Sequence, residues 1–122
     1  MAAVVRVKAR PCTVVGYEVV DKGTLTQAVV AGDLLVNGAS GWAKAPTNAT
    51  EAHGIALQDG YAGQSGFSIG IQGEMDGFSG MTPGAPLFPS DAVAGGIDTT
   101  PPSGAVARMR AASATRIRYN FI

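Results

Sequence analysis

The chain holds one histidine, His53, and one cysteine, Cys12, and they stand far apart in the sequence. Nucleophilic catalysis needs a hydroxyl or thiol beside a base, and no spacing here suggests such a pair. Gly63-Gln64-Ser65-Gly66 and Gly77-Phe78-Ser79-Gly80 bring a serine between glycines. Each puts the second glycine directly after the serine, so the G-x-S-x-G spacing of a nucleophile elbow is missing, as is its strand-to-helix setting. Both read as turns. Asp59, Asp76, Asp91 and Asp98 are scattered through glycine-rich stretches and match no EF-hand loop or zinc-ligand spacing. Neither a Walker-type phosphate loop nor a dinucleotide glycine fingerprint occurs. The expectation is a protein that is not an enzyme, with no catalytic residues, no cofactor and no metal.

The elements around these residues are extended. Phe67, Ile69 and Ile71 alternate with Ser68, Gly70 and Gln72, the pattern of a half-buried strand. Gly54-Ile55-Ala56-Leu57 predicts a shorter strand, joined to the first as a hairpin through a long loop with Asp59-Gly60, Gly63 and Gly66. Thr82-Pro83-Gly84 predicts a turn before the apolar run Pro86-Leu87-Phe88. Upstream, Thr13 to Val20 predicts a strand ended by a turn at Asp21-Lys22-Gly23. Leu25 to Gly38 then predicts strand, Gly-Asp turn, strand and Asn37-Gly38 turn. Ser40 to Ala45 predicts a brief strand, and Pro46 to Ala52 a loop or one helical turn. Asp91 to Ser103 is loop-like, and Gly104 to Ala111 and Thr115 to Ile122 predict the last two strands. In the final one Thr115, Ile117, Tyr119 and Phe121 share one face and Arg116, Arg118 and Asn120 the other.

Seventeen glycines and seven prolines in 122 residues leave few windows for a helix. The expected fold is all-β: a small, compact barrel-like or sandwich-like domain with long glycine-rich loops, an extended N-terminal strand or arm, and little or no helix. Residues 1–22 form the arm region and residues 23–122 the single β-rich domain. A lone cysteine suits a protein made in a reducing cytoplasm. Met1 to Lys8 has neither the apolar core of a signal peptide nor the length of a membrane span, so no membrane partner is expected, and the Asn48-Ala49-Thr50 sequon is set aside.

Charge sums to zero but is unevenly spread. Residues 1–22 carry Arg6, Lys8, Arg10 and Lys22 against Glu18 and Asp21, and residues 105–122 carry Arg108, Arg110, Arg116 and Arg118 with no acid. Between them Lys44 faces Asp33, Glu51, Asp59, Glu74, Asp76, Asp91 and Asp98. If the terminal strands pair, they make one basic side; otherwise they are solvated outer faces with scattered partners. Zero net charge and no aromatic residues on the basic faces argue against nucleic acid. Val5, Val7 and Ala9 alternate with Arg6, Lys8 and Arg10 up to Pro11. This is either an edge strand protected by its charges or an arm that docks elsewhere.

Gly95-Gly96-Ile97-Asp98 resembles the glycine-isoleucine-aspartate turn of trimeric dUTPases. The likeness ends there: Thr99-Thr100-Pro101-Pro102 replaces the expected tyrosine and glycine, and no arginine-serine-glycine motif occurs. A wider resemblance covers roughly residues 28 to 122. Ala31-Gly32-Asp33-Leu34-Leu35-Val36, Trp42-Ala43-Lys44-Ala45, Gly54-Ile55-Ala56-Leu57 and Phe67-Ser68-Ile69-Gly70-Ile71-Gln72-Gly73-Glu74, in that order, resemble tailed-phage head decoration (cement) proteins. Gly80 to Phe88, Gly95-Gly96-Ile97, Pro101-Pro102 and Ala112 to Ile117 continue the likeness.

The resemblance implies a homotrimer on the outer surface of an icosahedral capsid, made in the host cytoplasm and stabilising the expanded head. Its partners would be the major capsid protein, its own copies and neighbouring trimers. On this reading Val5, Arg6, Val7, Lys8 and Arg10 are the expected capsid-binding residues, adding a strand to a neighbouring edge. Trp42, Tyr61 and Phe78 are the expected subunit contacts or else core. The alternative is a trimeric β-domain of a head fibre or tail-associated adhesion protein that binds a surface glycan, for which Trp42 and Tyr61 would supply the aromatic platform.

Overall fold

The computed structural model of the chain describes residues 3–4, 13–99 and 104–122. Among these residues there is no helix, and ten strands follow one another: β1 (Ala3–Val4), β2 (Thr13–Gly23), β3 (Leu34–Gly38), β4 (Gly41–Lys44), β5 (Gly54–Ala56), β6 (Phe67–Asp76), β7 (Pro86–Pro89), β8 (Ile97–Asp98), β9 (Met109–Ala111) and β10 (Arg116–Asn120). They join antiparallel in the order β1-β8-β7-β9-β10-β6-β5-β3-β4, with β2 also on β6, and the sheet curls into an open half-barrel. The all-β class read from the sequence is the class of the fold.

Strand β6 is the trunk on which the others are hung. Along one edge it takes β2, from Gly23 opposite Phe67 to Thr13 opposite Asp76. Its other edge is divided: β5 meets Ile69 and Gly70, and β10 meets Gln72 to Asp76. The break falls at Ile71. On β2, Val19 lies opposite Gln72 and Val20 opposite Gly70, so Ile71 is one residue too many and β6 bulges there.

The bulge shifts the inside–outside alternation of the strand. Before it, Phe67 and Ile69 point into a cluster with Leu25, Val29, Leu35, Trp42 and Ala56. After it, Met75 points with Ile117 and Tyr119 into the larger cluster of Leu34, Ile55, Phe78, Leu87, Ile97 and Met109. One strand thus serves two cores. Each fully buried Leu, Ile, Phe or Met contributes about 1.5–3 kcal/mol. Gly70 lies beside the bulge, where a Cβ would come within 2.7 Å of both the Tyr119 hydroxyl and Leu57 Cδ2.

The hairpin of β5 and β6 and the two-faced last strand stand as the sequence predicts, and the apolar run at Pro86 forms β7. In β10, Ile117 and Tyr119 are buried while Arg116, Arg118 and Asn120 are exposed. Other expectations are corrected. Asp21-Lys22-Gly23 is not a turn but the end of β2, because β6 extends far enough to pair with all three residues. Gly23 also lies under the Trp42 indole, where a Cβ would overlap the ring. The strand expected over Thr13 to Val20 is β2, and it continues through Gly23.

Leu25 to Val30 is not a strand. It makes two isolated bridges, Leu25 with Trp42 and Val29 with Gly60, because its neighbours belong to two different elements, strand β4 and the loop that follows β5. The Asn37-Gly38 turn falls instead at Ala39-Ser40, since Gly38 pairs with Gly41 and both asparagine and glycine remain in the ladder. Asp91 to Ser103 includes β8, held between β1 and β7. The strand expected from Gly104 shrinks to β9, and among the described residues β2 and β10 do not pair with each other but lie on opposite edges of β6.

Candidate interaction surfaces

Two register pairs build a basic surface on the outer face of β9 and β10. Arg118 lies opposite Arg110 of β9 on one side and opposite Glu74 of β6 on the other. Like charges facing each other across a ladder repel, and Glu74 offsets this for Arg118, accepting from Nε and Nη2 at 3.0 and 2.9 Å on one oxygen. Arg116 Nη1 stands 3.9 Å from the other oxygen of Glu74. Arg108, just before β9, donates through Nε at 3.0 Å, and through Nη2, to Glu51 Oε2. Arg110 has no carboxylate partner among the described residues; its Nη1 reaches only the Gly84 carbonyl, at 3.3 Å. Arg108, Arg110, Arg118, Asn120 and the exposed Ile122 line an open groove of about 420 Å3.

A second surface lies on the loop between β5 and β6. Val29 and Gly60 exchange backbone hydrogen bonds at 3.1 and 3.0 Å. That pairing turns Val29 inward and leaves the flanking Val30, Asp59 and Tyr61 facing outward. The loop is tied down. Leu25 N–H donates to the Gln64 carbonyl and Gly63 N–H to the Leu25 carbonyl, each at 2.8 Å. Tyr61 N–H donates to Gln64 Oε1 at 3.1 Å, and Asp59 Oδ1 accepts from Ala31 N–H at 3.0 Å. On this fixed base the Tyr61 side chain is 66% exposed, beside Val30 at 46%.

The third surface is an edge. Among the described residues β2 pairs with β6 alone, so no described strand takes the main-chain donors and acceptors on the far side of this 11-residue strand. Lys22 Nζ donates to Ser68 Oγ at 2.7 Å across the paired side, and Val20 is exposed. An open edge of this length is a template for another strand.

The residues singled out by sequence scatter over these surfaces and the core. Trp42 lies in β4 and is 5% exposed, and Phe78 is 1% exposed. Both are core residues of the single chain, because their rings fill the two clusters, and only Tyr61 of the expected subunit contacts is on the surface. With Trp42 buried, it cannot share an aromatic platform with Tyr61. Val5, Arg6, Val7, Lys8, Arg10 and Cys12 lie outside the described residues. His53 is held structurally: its Nδ1 accepts from Asn37 N–H at 2.9 Å and its N–H donates to the Leu35 carbonyl at 2.8 Å. Among the described residues no three His, Cys, Asp or Glu side chains come together as a metal site.

Sequence reasoning passed over two buried polar anchors. Asp33 Oδ2 accepts from Val30 N–H at 2.9 Å, and Ser90 Oγ accepts from Ala92 and Val93 N–H at 3.0 and 3.2 Å. The signal was local: Asp and Ser bond to backbone a few residues away in turns. Comparison with known proteins gives no matching family model, no matching curated protein and no matching solved structure.

Proposed function

We propose that this chain is a structural virion protein that binds the outer surface of an icosahedral phage capsid as a trimer and cements the expanded head. The observation that carries the proposal is the edge of β2 that no described strand pairs, in a strand that follows closely in sequence on the basic segment Arg6, Lys8 and Arg10. Strand addition gives affinity through main-chain hydrogen bonds, and basic side chains beside it select an acidic surface and speed encounter. A cement has no need of deep pockets. It works by repetition, since a trimer that engages several capsid subunits turns weak contacts into tight binding through effective concentration. The rigid two-core sheet suits that task, because little conformational entropy is lost when a preorganised surface docks.

Purified protein is mixed with expanded heads that lack it, sedimented, and the loaded particles are challenged with heat. Saturable binding at a fixed copy ratio with a raised disruption temperature is expected. A chain lacking residues 1–10 is expected to fold and self-associate but not to bind. Undiminished binding by that truncation would refute strand addition by the arm. No binding by the full chain to intact heads would refute the cement role and direct the search to a fibre or tail component at one vertex.

A further inference from the structure

The groove on β9–β10 and the Tyr61 knob on the loop between β5 and β6 are complementary in charge and are separate surfaces. The groove offers Arg110, whose guanidinium has no carboxylate among the described residues, beside Arg118, with an exposed apolar wall at Ile122. The knob offers an aromatic ring, an apolar neighbour in Val30 and the carboxylate of Asp59, all exposed and on a loop fixed by its own hydrogen bonds. We infer that the groove of one copy receives the Tyr61 loop of a second copy. A tyrosine face stacks well on guanidinium planes, and tyrosine and arginine are the residue types that dominate contact energies.

The occupant is a copy of this chain because the chain itself carries the complementary carboxylate and ring. The like-charge pair Arg110–Arg118 also gains from an incoming anion. Patch and groove are distinct surfaces, so the contact is head-to-tail, and such contacts close into a ring when the rotation allows. The inference rests on the trimer reading above and names its interface.

The test uses the whole chain, Arg110→Glu and Tyr61→Ala, each followed by sedimentation velocity and circular dichroism. Both positions are exposed and neither side chain belongs to a core cluster. The unsubstituted chain is expected to sediment as three copies and each variant as one. An equal mixture of the two variants is expected to form a dimer and go no further, because only one intact groove and one intact knob remain to meet. That dimer also shows that both variants are folded. If the unsubstituted chain is monomeric, the trimer reading fails and this interface with it. If it is trimeric and either variant stays trimeric, the interface is wrong while the trimer stands. If Arg110→Glu stays trimeric but no longer binds heads, the groove serves the capsid protein and the inference is overturned.

Discussion

Arg118 of β10 lies directly across the ladder from Glu74 of β6, and two of its nitrogens close on the same carboxylate oxygen at 3.0 and 2.9 Å. The same carboxylate faces Arg116, so one acid holds two cations on the outer face of the sheet. Glu74 and Arg118 are 28% and 69% exposed, which leaves water free to screen the pair.

Replacing Glu74 with Gln is therefore expected to cost only about 0.2–1 kcal/mol. The loss should shrink as salt is added, since screening already weakens an exposed pair. Urea unfolding at low and high ionic strength measures both. A loss of several kcal/mol would mean that the pair is far better shielded than its exposure indicates.

Gly70 sets a tighter limit. A methyl at this position meets the Tyr119 hydroxyl and Leu57 at 2.7 Å and Ile55 Cγ2 at 2.9 Å. Gly70→Ala is expected to destabilise by about 1–3 kcal/mol through overpacking. Pairing it with Leu57→Ala should recover part of the loss, and a thermal scan of the single and double variants reads the coupling.

Trp42 and Tyr61 separate folding from association. Trp42→Ala empties the middle of the smaller core and is expected to cost about 3–5 kcal/mol. Tyr61→Ala removes a 66% exposed ring whose backbone, not its side chain, ties the loop. Its unfolding midpoint, measured at a concentration where all chains are monomeric, should match that of the parent.

Asp33 is nearly all buried, and its Oδ2 accepts the Val30 N–H where the chain turns into β3. Asp33→Ala is expected to lose about 1–3 kcal/mol by stranding that donor. Asp33→Asn keeps an oxygen in place and should lose less. Hydrogen exchange at Val30 offers a local check, with faster exchange in the alanine variant.

The sequence by itself determined the class of the fold and the faces of its clearest strands. Alternation at Phe67 and Ile69, and at Ile117 and Tyr119, is a local property, because successive side chains leave an extended backbone on opposite sides. Frequent glycine and proline excluded helices for an equally local reason. Tertiary structure alone decided that β6 changes partners at Ile71, because a bulge is defined only by the strand opposite. It also took Trp42 and Phe78 into the cores, kept Asp21 to Gly23 in the ladder, and set Arg118 between Arg110 and Glu74. Those outcomes depend on what packs or pairs from distant parts of the chain, and spacing along one strand carries no record of its neighbours.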